Sequence, residues 1–149
     1  MRKFILFTLL AASISFAQQS GAPKQEATKE KAAPAKAKTL TRAELDSLLA
    51  KPGQVLLIDV RRPEEISTIG GFPVYLSIQN GELEKHLADI PKDRIIVTVS
   101  NHAARAGKAA DLLDSKGFKV AGAVGAETYE TEGGTLLKGQ APKESASTK

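Results

Sequence analysis

Residues 95–105 read Ile95-Ile96-Val97-Thr98-Val99-Ser100-Asn101-His102-Ala103-Ala104-Arg105. The first five are β-branched and nearly all apolar, which predicts a strand buried on both faces. The alanine-rich run that follows has a helical period as far as Leu113. A strand that passes through a short loop into a helix brings the loop's N–H groups to a helix N-terminus, where anions are favoured. Residues 100–105 are therefore the first candidate for a small-molecule site.

Working outward, Thr41-Arg42-Ala43-Glu44 is a capping-box pattern leading into Leu45, Leu48 and Leu49 on one helical face, with Lys51-Pro52-Gly53 ending the helix. Residues 54–60 read as a strand apolar on both faces, and Arg62-Pro63-Glu64-Glu65 as a short helical turn. Gly70-Gly71-Phe72-Pro73 breaks the chain before a second strand over 74–78. Leu83, Leu87 and Ile90 mark a short helix stopped near Pro91. The longest helix is predicted over 103–116, with Ala106, Ala109, Ala110 and Leu113 inward and Lys108, Asp111 and Asp114 outward. Gly117 follows as its C-terminal stop, and residues 118–124 supply a further strand. Strands alternating with helices predict an α/β fold, a mostly parallel central sheet flanked by helices, with ligands at the C-terminal ends of the strands.

A chain of 149 residues with 42% apolar content fits one domain plus tails. The formal net charge of +4 invites nucleic acid as a partner, so the location of the charge decides. Residues 39–140 hold 12 Lys/Arg against 14 Asp/Glu, and the excess lies in the flanks. A domain without a basic face or stacking aromatics is not expected to bind nucleic acid.

Arg2-Lys3, an apolar run from Phe4 to about Phe16, and Ser15-Phe16-Ala17 match the three regions of a secretory signal, so residues 1–17 are expected to be cleaved after Ala17. The alternative is an uncleaved anchor, but roughly 20 apolar residues are needed to span a bilayer and this run is shorter. The expectation is a periplasmic or secreted protein with no stable membrane insertion after cleavage. Residues 18–38, rich in Ala, Lys, Glu, Gln and Pro, are expected to be a disordered linker, either a solvated spacer or a weak tether to anionic surfaces. Residues 39–140 form the domain and 141–149 a disordered tail. No cysteine occurs anywhere, so there is no disulfide and no site for a lipid-modified cysteine.

Leu56-Leu57-Ile58-Asp59-Val60-Arg61, Glu64-Glu65, Gly70-Gly71-Phe72-Pro73, Ile90-Pro91-Lys92-Asp93, the 95–105 strand and loop, Ala109-Ala110-Asp111-Leu112-Leu113 and Gly117-Phe118-Lys119-Val120 come in an order and spacing that resemble a rhodanese (thiosulfate sulfurtransferase) domain. The resemblance runs from about residue 39 to 139. It implies an active-site loop of a cysteine, four residues and an arginine, with Ser100 where the cysteine would be and Arg105 as the arginine. Gly71 stands in place of a histidine and Val74 in place of a glycine. The family's cysteine takes a sulfane sulfur from a donor and carries it as a persulfide. That step needs a thiolate, and serine has no sulfur to hold.

Two readings of the loop remain open at this point. In one, Ser100, Asn101, His102, Ala103, Ala104 and Arg105 form an anion nest without chemistry, for thiosulfate, sulfate or phosphate. Arg105 then either forks onto the oxyanion or pairs with Glu64 or Glu65. In the other, Ser100 and His102 form a hydrolytic pair with Asp59 or another carboxylate. Asp59 and Arg61 are expected to fix local loops. His86 and His102 are too few for a dedicated metal site, and no cofactor is expected. The overall expectation is an exported accessory module, binding a small oxyanion or an envelope protein partner and linked to sulfur metabolism. The alternatives are a serine-dependent hydrolase, a residual sulfurtransferase, or a structural envelope protein.

Overall fold

The computed structural model of the chain describes residues 34–139. The expected signal (1–17), most of the expected linker and the expected tail (141–149) lie outside the described residues. Helix α1 (Arg42–Leu49) starts on Thr41, whose side chain accepts from the Glu44 N–H while the Glu44 carboxylate accepts from the Thr41 N–H. This is the reciprocal cap that the sequence predicts. Strand β1 (Val55–Asp59) follows, then α2 (Pro63–Ile69), β2 (Leu76–Ser77), a 3-10 helix (Leu83–Asp89), β3 (Ile95–Ser100), α3 (Ala104–Ser115), β4 (Lys119–Gly125) and α4 (Ala126–Thr131).

The four strands form a parallel sheet in the order β2-β1-β3-β4. Side chains alternate across it. Leu57, Val97, Val99 and Val124 face one layer with Leu45 of α1 and Tyr129 of α4. Ile58 and Ile96 face the other layer with Ala109 and Leu113 of α3 and Leu83 of the 3-10 helix. Burial on both faces is what a parallel sheet with helical crossovers requires. Helix α3 ends in a Schellman closure: the Phe118 N–H reaches the Leu113 carbonyl (3.1 Å), the Gly117 N–H reaches that of Asp114 (2.9 Å), and Gly117 takes φ +80°.

Two expectations change. The second strand, expected over 74–78, is only two residues long. Val74 is 80% exposed, and the ladder forms only where Leu76 and Ser77 lie against Ile58 and Asp59. At the other end, ordered contacts begin before Thr39. The N–H groups of Lys36 and Ala37 both donate to the Asp111 carboxylate (2.8 and 2.7 Å), so Asp111 is not a solvent-facing residue as expected. Thr39 makes a parallel bridge to Ala123, with Leu40 N–H to Ala123 O and Ala123 N–H to Lys38 O, each 2.8 Å. Residues 38–40 thus lie along the outer edge of β4, and residues 35–37 lie against α3.

Candidate functional site

The sheet delivers Ser100 to the C-terminal end of β3, beside Gly125 at the end of β4. Residues 101–103 turn the chain into α3, with Ala103 in the left-handed region (φ +65°). That conformation costs an alanine about 1 kcal/mol, so the turn is held by its surroundings. Gly125 supplies part of the hold. A Cβ there would lie 2.9 Å from the Asn101 carbonyl and 3.1 Å from the Ala103 nitrogen, so only glycine lets β4 approach so closely. The Glu127 N–H then donates to the Asn101 carbonyl (3.2 Å).

Ser100 is 1% exposed, and its Oγ accepts a 3.1 Å hydrogen bond from the Ala106 N–H. Ala106 is the third residue of α3, whose first-turn N–H groups have no acceptor within the helix. Ala103, at the capping position, makes no side-chain cap, and Ser100 takes over that role from six residues upstream. Two residues back on the same face of β3, buried Thr98 donates from Oγ1 to the Ala106 carbonyl (2.7 Å). The peptide groups on both sides of Ala106 are therefore held by two strand hydroxyls. Sequence reasoning missed Thr98; the signal was its position two residues from Ser100, on the strand face that meets the helix.

Arg105 does not open onto the loop. Its guanidinium grips Glu65 of α2 with two bonds, Nη1 to Oε2 at 2.9 Å and Nη2 to Oε1 at 2.5 Å. Asn101 Nδ2 donates to the same carboxylate (2.9 Å). Of the two roles open to Arg105, the ion pair is the one formed, and the partner is Glu65, while Glu64 is exposed. The Arg105 guanidinium, with help from the Arg62 N–H, holds the Glu65 carboxyl down to about 2 against desolvation that would raise it. Loop and α2 are thereby tied together at the mouth of the sheet.

His102 is 72% exposed and faces Glu127 at 3.5 Å. No hydrogen bond joins it to Ser100 among the described residues, and Asp59 is engaged elsewhere, so the hydrolytic constellation is not assembled. Asp59 and Arg61 are both 0% exposed and form a buried ion pair: Arg61 Nε and Nη2 reach the carboxylate at 2.9 and 2.6 Å, while Arg61 Nη1 is buried without a hydrogen-bond partner. Asp59 Oδ1 also accepts from the Arg61 N–H (3.1 Å), and Arg61 Nη2 donates to the Gly70 carbonyl (2.9 Å). The pair ties the turn after β1 to the Gly70-Gly71 break. Gly71 has a packing reason of its own, since a Cβ there would lie 3.0 Å from Ile66 and 3.3 Å from the Tyr75 ring. His86 is an exposed residue bonded to Asp89 (2.9 Å). Two surface clefts, of about 400 and 450 Å³, lie by the start of β1 and beside α1, and residues 100–105 line neither. Among the described residues no helix is long and apolar enough to cross a membrane.

Comparison with known proteins agrees with this architecture. The profile of the rhodanese-like domain family matches residues 41–134. No curated protein matches the chain. Among solved structures, a rhodanese-related protein from Thermoplasma volcanium shares the fold at 20% identity and a TM-score of 0.59, covering 67% of this chain and 97% of its own. A polysulfide-sulfur transferase homodimer from Wolinella succinogenes is 26% identical with a TM-score of 0.56, covering 74% of this chain and 82% of its own. The CoADR-RHD protein of Bacillus anthracis is 32% identical with a TM-score of 0.58, over 64% of this chain but only 17% of that longer one. With its parallel sheet, its strand–loop–helix at 95–115 and a matched span of more than half its length, this cysteine-free chain belongs to the rhodanese-like domain family.

Proposed function

We propose that this protein is a non-catalytic member of its family, in which residues 100–105 recognise a small oxyanion of the sulfate or thiosulfate class without transferring sulfur. One observation carries the reading. The chain has no cysteine, and the hydroxyl of Ser100, the residue that the resemblance aligns with the sulfur carrier, is buried and committed to the N-terminus of α3. A hydroxyl cannot hold a persulfide, and without a bonded base it is a weak nucleophile.

The recognition half of the proposal rests on α3. The N–H groups of Ala104 and Arg105, its first two residues, have no acceptor inside the helix, and the helix dipole favours negative charge there. The Glu65 ion pair positions Arg105 and the loop behind these donors, so Arg105 acts through Glu65 and not as a fork on the ligand. The polysulfide-sulfur transferase among the structural neighbours supports a ligand of sulfur chemistry. The secretory signal read from residues 1–17 supports a place in the periplasm or outside the cell, with a sulfur-handling or envelope protein as partner.

Thermal unfolding at constant ionic strength tests the recognition. Thiosulfate or sulfate at a hundredfold its dissociation constant adds about 2.7 kcal/mol of stability, and sodium chloride adds none. Equal effects of all salts would refute the anion site and leave a scaffold.

A further inference from the structure

The balance of 12 Lys/Arg against 14 Asp/Glu over residues 39–140 conceals where the charges lie. Because the four strands are parallel, the turns that enter β1, β3 and β4 gather at one end of the sheet, opposite the Ser100 loop. Those turns carry Lys51, Lys92, Arg94, Lys116 and Lys119, and Ile95 is in register with both Val55 and Lys119. The four lysines are exposed and Arg94 is half-buried. Lys92 Nζ stands 5.3 Å over the Phe118 ring, which joins the turn before β3 to the turn before β4. Among the described residues none of the five forms an ion pair, whereas every other Lys and Arg except Lys36 and Lys108 does. The acidic residues on these turns are Asp93 and Asp114, and nearby Asp89 is bonded to His86, so five positive charges face two negative ones.

We propose that this end of the domain rests on an anionic phospholipid surface and holds the Ser100 loop on the side away from the bilayer. The make-up of the patch selects this occupant. Four of the five cations are lysines, point charges on flexible stems that suit a fluid array of phosphates, where a fixed carboxylate or phosphate would favour the fork of arginine. No large apolar or aromatic side chain is exposed on these turns to enter hydrocarbon or stack on a base. Residues 18–38, which lead into the domain, add five lysines against two glutamates, so tether and patch carry the same sign. The attraction is electrostatic, about fivefold in partition for each lysine held near the surface, and it fades as salt shortens the screening length. The proposal is independent of the anion reading of residues 100–105, which lie at the opposite end of the sheet.

The test is co-sedimentation of the full chain with phosphatidylcholine vesicles, with and without phosphatidylglycerol, at low and high sodium chloride. Binding carried by the apolar run of residues 4–16 is measured on phosphatidylcholine alone. Lys92→Gln, Lys116→Gln and Lys119→Gln combined should lower partition onto the anionic vesicles about a hundredfold at low salt. Lys85→Gln, Lys108→Gln and Lys138→Gln combined remove the same charge from other surfaces and should lower it less than about tenfold. All six side chains are exposed, so both variants should keep the circular dichroism of the natural chain. Equal losses in the two triple variants would overturn the proposal, since net charge or residues 18–38 alone would then account for binding. So would equal binding to both vesicles, or tighter binding, at equal charge, of a duplex oligonucleotide or of polyglutamate.

Discussion

At Ser100 the decisive feature is what the hydroxyl is bonded to. Its acceptor role toward the Ala106 N–H substitutes for a capping residue that Ala103 cannot provide. Ser100→Ala should lower stability by about 1 kcal/mol, as loss of a helix cap does, with the fold retained; chemical denaturation measures it. Arg105 and Glu65 make the second residue-scale prediction. Glu65 lies at about 2, below its ordinary 4.5. A depressed carboxyl stabilises the fold fully above about 4.5, and the contribution is lost as pH falls toward 2. Because the Arg105 side chain is 40% exposed, solvent screening leaves about 1 kcal/mol of this. Arg105→Ala should remove that amount at neutral pH and flatten the acid limb of the stability profile between pH 4.5 and 2. An unchanged acid limb would show that the pair contributes nothing. The choice of Glu65 as partner was not legible in the sequence, because it depends on how α2 packs against a loop 40 residues away.

The elements were legible where local chemistry agrees with tertiary packing. Thr41 and Glu44 announce the start of α1, Gly117 the end of α3, and the apolar runs of β1 and β3 their double burial. The expected strand over 74–78 shrank because Pro73 and exposed Val74 lie outside the ladder, and propensity cannot show where pairing begins. Likewise nothing in the Ala/Lys composition before Thr39 marks Ala35 and Ala37 as packed. Their partners, Gly107 and Asp111, lie on a helix some seventy residues downstream. At this scale Gly125→Ala is the informative substitution. Its methyl would press on the Asn101 carbonyl at 2.9 Å, so β4 and the loop must separate. We expect a loss of about 1–3 kcal/mol, with amide shifts concentrated in residues 100–105; shifts spread evenly over the domain would contradict the close approach.

Across the whole molecule, the parallel sheet gathers its polar commitments at one end. There the Asp59–Arg61 pair, the Glu65–Arg105–Asn101 cluster and the Ser100 cap lie beside the C-terminal ends of β1 and β3. Arg61→Ala leaves the Asp59 carboxylate buried without its partner and should cost about 3–5 kcal/mol, a large share of the stability of a small domain. Asp59 and Arg61 thus hold the turn after β1 and the Gly70 carbonyl, beside a loop that contains no sulfur atom. The most direct measurement is intact mass after incubation with thiosulfate, paired with thiosulfate:cyanide turnover, on the natural chain and on Ser100→Cys. The natural chain should gain no mass and form no thiocyanate, while the cysteine variant gains one sulfur atom. Turnover by the natural chain that disappears in Ser100→Ala would contradict the account.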